Sequence, residues 1–121
     1  MGHAAGDALL QAISRSLANG LRSSDLVARW GGEEFIVLVA SSDLEKLRGL
    51  GERCRQLVAN TLCTVGNQII EVTASVGGDA IQPADDLLTL MERVDARLYE
   101  SKRRGRNRVT IDYSAGQSTN S

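Results

Sequence analysis

From Ala4 to Leu21 the apolar residues Leu9, Leu10, Ile13, Leu17 and Leu21 recur at steps of three and four, and Asn19-Gly20 supplies a stop. That spacing lines one face of a helix. Leu26–Trp30 and Glu34–Val39 then read as two strands around Gly31-Gly32, a pair able to take positive φ at both central positions of a tight turn, and so predict a β-hairpin. Ser42 with Glu45 three residues later has the form of a capping box, and Leu44, Leu47, Leu50, Cys54, Leu57, Val58 and Leu62 continue as a second helix, weakened by Gly49 and Gly51. Alternation returns at Ile70, Val72, Ala74 and Val76 as one half-buried strand after a Gly66-Asn67 turn, with Cys63–Val65 able to pair with its start. Pro83, the acids Asp85 and Asp86 in a first turn, the stripe Leu87, Leu90, Met91, Val94 and Leu98, the cations Lys102 to Arg104 and a closing Gly105 mark both ends of a third helix. Val109–Ile111 is a short last strand, and residues 113–121 form a polar tail with no reason to order.

Helix, hairpin, helix, strand, helix, strand is the order of an α+β domain, an antiparallel sheet flanked by helices. At 121 residues the chain is about 0.8 of the usual domain length of roughly 150, so one domain is expected. Composition agrees: 42% of residues are apolar and 24% charged, which excludes disordered and coiled-coil classes. Lys+Arg number 14 and Asp+Glu 15, and this net charge of −1 argues against a protein held on nucleic acid or anionic lipid by bulk charge. Aromatics are 3% of the chain, too few for base-stacking platforms. Cys54 and Cys63 make no CxxC pair, and with His3 the single histidine a structural zinc site lacks ligands, so both cysteines read as buried apolar residues in a reducing compartment. No apolar run approaches the ~20 residues of a membrane span, so no direct membrane contact and a cytoplasmic location are expected.

Gly31-Gly32-Glu33-Glu34-Phe35 sets two carboxylates on a glycine turn that a large ligand can approach closely. Neighbouring strand residues face opposite sides, so Glu33 and Glu34 need not share one task. Hard oxygen ligands of this kind suit Mg²⁺ held jointly by protein and substrate phosphates. The plainer alternative is an acidic hairpin tip that keeps the edge soluble. Likewise the run Lys102–Arg108 suits either phosphate groups or the C-terminal end of a helix dipole.

At this pentapeptide the chain resembles the GGDEF family of diguanylate cyclases, of which GGEEF is one signature form. Gly2-His3-Ala4-Ala5-Gly6-Asp7-Ala8-Leu9 is similar to that family's GHxxGDxxL segment. Asp95–Asn107 is similar to its DxxLYxxKxxGRN segment, and Val72–Gly77 to its VTxSxG strand. The resemblance runs from Gly2 to about Ile111 and implies a partial GGDEF domain over residues 1–112.

The resemblance implies a nucleotide-cyclase or palm (ferredoxin-like) core and condensation of two GTP molecules to cyclic di-GMP, with release of pyrophosphate, on a homodimer holding one GTP per protomer. It makes Glu33 a metal ligand and the group that activates the 3′-hydroxyl, with Glu34 supporting the metal, Mg²⁺ or Mn²⁺, or the nucleotide. Asp7 would read the guanine edge, His3 would touch substrate nearby, Gly31 and Gly32 would leave room for the nucleotide, and Lys102 and Arg106 would grip the triphosphate. Arg22-Ser23-Ser24-Asp25, with residues 26–30 between it and Gly31, matches the family's RxxD inhibitory product site. Arg is suited to that stacking and bidentate duty. Arg53 falls where many members carry a second product-binding arginine, with Arg55 close by.

The family's domain normally begins earlier, with a DxLTGLxNR helix and a strand and loop of the form DxDxFKxxND, which this sequence lacks. That strand carries another metal-binding aspartate and is central in the family's sheet. The resemblance therefore implies an N-terminally truncated piece of a cyclase, with a gap beside the hairpin. The second reading, from a different class, is a catalytically inactive module that binds cyclic di-GMP through Arg22 and Asp25 or pairs with another cyclase domain. A nucleic-acid binder built on the basic run is a remote third.

Overall fold

The three-and-four spacing at the start of the chain forms helix α1 (His3–Gly20), which buries Ile13 and Leu17. Full burial of one such side chain contributes about 1.5–3 kcal/mol. In this computed structural model the described residues are 3–22, 25–31, 34–39 and 43–111. They form α1, β1 (Leu26–Gly31), β2 (Glu34–Leu38), α2 (Leu44–Ala59), β3 (Leu62–Val65), β4 (Gln68–Glu71), β5 (Val76–Gly77), α3 (Leu87–Arg103) and β6 (Val109–Thr110). The chain divides into two compact units, residues 1–40 with 56–72 and residues 41–55 with 73–121.

In the first unit the hairpin β1–β2 forms as expected and is antiparallel, with Leu26 opposite Leu38 and Ala28 opposite Ile36. Its tip departs from the simple turn. Gly31 is a strand residue paired with Glu34, and the register slips between Arg29 and Gly31, so the strand bulges at Trp30 and the pair enclosed by the ladder is 32–33 rather than 31–32. An extra residue on one strand bends it and re-aims the side chains beyond the bend. A second antiparallel pair, β3–β4, sets Cys63 opposite Ile70 and Val65 opposite Gln68, which is the pairing expected for Cys63–Val65. Leu62 begins β3 instead of ending α2, because α2 stops at Ala59. Thr61, buried at this joint, sets its hydroxyl 2.6 Å from the Leu57 carbonyl and 2.7 Å from Ser16 Oγ. α1 packs on β1 and β3.

In the second unit α3 packs on β5 and β6, a short parallel pair in which Val76 faces Val109 and Gly77 faces Thr110. The alternating run expected as one strand over 70–77 is thus divided: β4 belongs to an antiparallel ladder, β5 to a parallel one, and residues 72–75 have no ladder partner among the described residues. Three two-stranded ladders result, unjoined by hydrogen bonds among the described residues. Gly77 sets the distance to α3. A Cβ at that position would stand 2.2 Å from Leu98 N, so the helix backbone lies where glycine alone permits it. Ser101 on α3 is fully buried and donates to the Val76 carbonyl at 2.7 Å, while the Thr110 hydroxyl lies 2.6 Å from Ser101 Oγ, so both strands are tied to the helix. An unpaired hydroxyl here would cost about 1–3 kcal/mol.

Helix ends obey local chemistry. Asp43 Oδ1 accepts from the backbone N–H of Glu45 and Lys46, capping α2; Ser42, the expected cap, lies outside the described residues. α3 begins at Leu87, so Asp85 and Asp86 precede it instead of filling its first turn. Asp86 is the N-cap, and it forms a reciprocal box with Thr89. Leu87 is 70% exposed and leaves the stripe, while Leu90, Met91, Val94 and Leu98 keep to it. Cys54 and Cys63 are both buried, as expected of apolar residues. The tail 113–121 lies outside the described residues.

Between β5 and α3 a buried ion-pair network forms that no helical or strand spacing announces. Asp79 Oδ2 accepts from Arg93 Nε at 3.0 Å and from Arg97 Nη2 at 3.3 Å, and Asp85 takes both Arg93 Nη atoms at 2.7 and 2.8 Å. The Arg93 guanidinium, then the Gln82 N–H, hold the Asp85 carboxyl well below the ordinary carboxylate range. A carboxyl depressed in the fold stabilises it fully above the unfolded value, roughly pH 3.9, and loses that contribution as pH falls toward the folded value. Melting temperature should therefore fall as pH drops below about 4, and Asp85→Asn should flatten that acid limb. An unchanged limb in the Asp85→Asn protein would refute the assignment.

Candidate functional site

The chemistry-bearing positions sit on local structures that differ in how much of their bonding capacity is already used. Glu34 opens β2 opposite Gly31, exposed, its side chain with no hydrogen bond or ion pair among the described residues. Its carboxylate oxygens are available to a hard cation. Gly31 closes β1; Gly32 and Glu33 lie outside the described residues. Among the described residues no three His, Cys, Asp or Glu side chains cluster tightly enough to hold a metal by themselves.

Asp7 is exposed one turn into α1, since the helix starts at His3; His3 itself is placed by its backbone alone. Arg22 and Asp25 are brought together. The Arg22 N–H donates to Asp25 Oδ2 at 3.0 Å and the Asp25 N–H to the Arg22 carbonyl at 2.9 Å, which closes the RxxD segment into a turn with the Arg22 side chain exposed. Residues 23–24 lie outside the described residues. These positions all belong to the first unit.

Arg53, Lys102 and Arg106 belong to the second unit. Hydrogen bonding sorts the basic run at the end of α3. Arg103 forks onto Glu100 at 2.7 and 3.1 Å, Arg104 stands 3.9 Å from the same carboxylate, and Arg108 Nε donates to the Arg106 carbonyl at 3.2 Å. Lys102 and Arg106 are exposed and unpaired among the described residues. The two cations named from the sequence thus have charge to spare, whereas Arg103 and Arg104 share one carboxylate. After Gly105 at φ 121°, Arg106 (φ 64°) and Asn107 (φ 47°) continue in the left-handed region, which arginine seldom enters. Arg53 is exposed on α2, and on the same helix the Arg55 Nε and Nη2 fork onto Glu52 while its Nη1 donates to Asn107 Oδ1 at 2.9 Å. That pairing raises the Arg55 pKa and lowers that of Glu52. Sequence reasoning missed it because 52 positions separate Arg55 from Asn107. The E-x-x-R spacing of Glu52 and Arg55 was the only available signal.

Among the described residues no helix is long and apolar enough to cross a membrane.

Comparison with known proteins bears on all of these positions at once. The family model of the diguanylate cyclase GGDEF domain matches residues 1–108. Diguanylate cyclase A of Treponema denticola is 37% identical over 111 residues, which cover 91% of this chain and 30% of that protein. Among solved structures, diguanylate cyclase SiaD in complex with its activator SiaC, from Pseudomonas aeruginosa, matches with a TM-score of 0.87 at 36% identity, covering 92% of this chain and 43% of that one. The active GGEEF domain of a diguanylate cyclase from Vibrio cholerae matches with a TM-score of 0.74 at 29% identity, covering 92% of this chain and 70% of that one. The chain spans less than a third of the length of its curated relative. With the match running from its first residue through the Gly105-Arg106-Asn107 turn, this chain belongs to the diguanylate cyclase GGDEF-domain family.

Proposed function

We propose that this chain is the part of a diguanylate cyclase that carries its GGEEF hairpin and its triphosphate-gripping turn. It acts in condensing two GTP to cyclic di-GMP with release of two pyrophosphates. The observation that supports this most is the sorting of charge: the side chains of Glu34, Lys102 and Arg106 are exposed and unpaired among the described residues, while Arg103 and Arg104 share the Glu100 carboxylate. Charge left unpaired in a folded protein is available to a ligand, and these residues have the signs that a metal–triphosphate complex requires.

Each protomer of a homodimer holds one GTP. Asp7 accepts N–H bonds from the guanine edge and His3 touches substrate nearby. Gly31 and Gly32 admit the nucleotide to the hairpin tip, and Lys102 and Arg106 hold the triphosphate. Glu33 takes the proton from the 3′-hydroxyl, whose oxygen attacks the α-phosphorus of the GTP on the other protomer; the P–O bond to pyrophosphate breaks, and a second such step closes the ring. Glu33 and Glu34 would hold Mg²⁺ or Mn²⁺ together with the phosphates, and the ion would supply neutralisation of triphosphate charge and a lower cost of forming the alkoxide. Positioning and charge complementarity supply most of the acceleration. Product binds back through the turn closed by Arg22 and Asp25, with Arg53 as the second arginine.

Incubation of this chain with GTP and Mg²⁺ tests the reading. Cyclic di-GMP and pyrophosphate in a 1:2 ratio are expected. Binding of cyclic di-GMP without any turnover, lost in Arg22→Ala, would replace this reading with that of a regulatory module.

A further inference from the structure

The left-handed stretch after α3 raises a question that the family's motifs leave open: what holds an arginine at φ 64° when shape alone disfavours it. The turn's own backbone gives part of the answer, through Arg106 N–H to the Ser101 carbonyl at 2.9 Å and Gly105 N–H to the Lys102 carbonyl at 3.4 Å. Neither bond reaches past Arg106. Past it, the Arg108 carbonyl accepts from the Val76 N–H at 2.9 Å, and the Asn107 side chain is bonded to Arg55 of α2.

Arg55 suits that duty. Its guanidinium is planar and donates in fixed directions, so two groups bonded to it are fixed relative to each other. Glu52 occupies the Nε and Nη2 edge at 2.9 and 2.5 Å, and Nη1 is turned to Asn107 Oδ1. The Arg55 side chain is 21% exposed, so the fork is partly shielded from water, where charge-assisted bonds are stronger. Glu52, Arg55, Asn107 and Arg108 also line a common cleft with Arg48 and Val109.

We propose that Arg55 is a positioning residue: oriented by Glu52, it anchors Asn107 and so locks the left-handed turn that presents Arg106 to a phosphate chain. The inference rests on Arg106 contacting the triphosphate of GTP, and adds the device that aims it. Arg55 does not touch the nucleotide; it acts through the backbone of residues 106–107.

A double-mutant cycle on GTP binding, measured by calorimetry with Mg²⁺ on this chain, tests it. Arg106→Ala and Arg55→Ala should each weaken GTP about tenfold, the scale of one charge-assisted phosphate contact. Arg55→Ala should add nothing in the Arg106→Ala background and should leave guanosine, which has no phosphates, bound as before. Arg55→Lys should not rescue, because one ammonium cannot serve Glu52 and Asn107 together. If Arg55→Ala unfolds the protein, Asn107→Gly keeps the positive φ while removing Oδ1, and the same loss for GTP alone is expected. Additive effects of the two arginine changes, or Arg55→Ala and Asn107→Gly proteins that bind GTP as the wild type does, would overturn the proposal while leaving the function standing. Wild-type protein that binds no GTP, or an Arg106→Ala change without effect, would overturn the functional reading and this inference with it.

Discussion

Replacing Asp79 by alanine should destabilise the second unit by about 3–5 kcal/mol, the cost of leaving a buried charge without its partner. The Asp79 side chain is 1% exposed and joins two arginines, Arg93 at 25% and Arg97 at 14% exposure. Arg93 would keep Asp85 and the Ala80 carbonyl as acceptors. Arg97 would keep none among the described residues: its one side-chain bond there is to Asp79, and its Nε is already buried without a partner. The Ala80 N–H, which Asp79 Oδ1 accepts at 2.7 Å, would be orphaned as well. By contrast, Glu45→Ala removes a pair whose side chains are 82% and 48% exposed, and such surface pairs contribute about 0–1 kcal/mol. Urea unfolding of the two variants separates the cases. Equal and small shifts would show that water reaches Asp79 and that the network contributes little.

The same network marks the limit of what can be read from the chain. Periodicity identifies α1 because Ile13 and Leu17 lie one turn apart on a face that is in fact buried. It identifies the hairpin because strands on either side of glycine carry β-branched and aromatic residues. Gly105 reads as a stop, and it takes φ 121° there. Asp79 and Asp85 have no such signal. Their partners lie 8 to 18 positions away across a loop, so no helix or strand spacing relates them, and by position alone Asp85 reads as a first-turn acid. The alternation over 70–77 reports which side chains face inward but not which strand hydrogen-bonds to which, and for that reason one expected strand divides between two ladders. At the site, motif spacing names Lys102 and Arg106, but that their side chains are unpaired among the described residues while Arg103 and Arg104 share Glu100 becomes visible only with the side chains placed.

Glu33→Ala should lower kcat for cyclic di-GMP formation on the order of a thousandfold, the upper range for removing one preorganised charge from a reacting centre. In sequence Glu33 falls between Gly31 and Glu34, which pair at the end of the ladder that runs back to Leu26 and Leu38. In the proposed reaction that carboxylate takes the 3′-hydroxyl proton, and rate depends on such placement more than affinity does. Loss of a group that acts in the transition state lowers kcat, whereas loss of one that grips substrate and transition state alike raises KM. Lys102→Ala, at the exposed end of α3, should therefore act mainly on the KM for GTP. Steady-state pyrophosphate release, with melting temperature as the check on folding, measures both. A Glu33→Ala protein that keeps kcat within tenfold of the wild type would remove Glu33 from the chemical step, and a Lys102→Ala change confined to kcat would remove Lys102 from substrate binding.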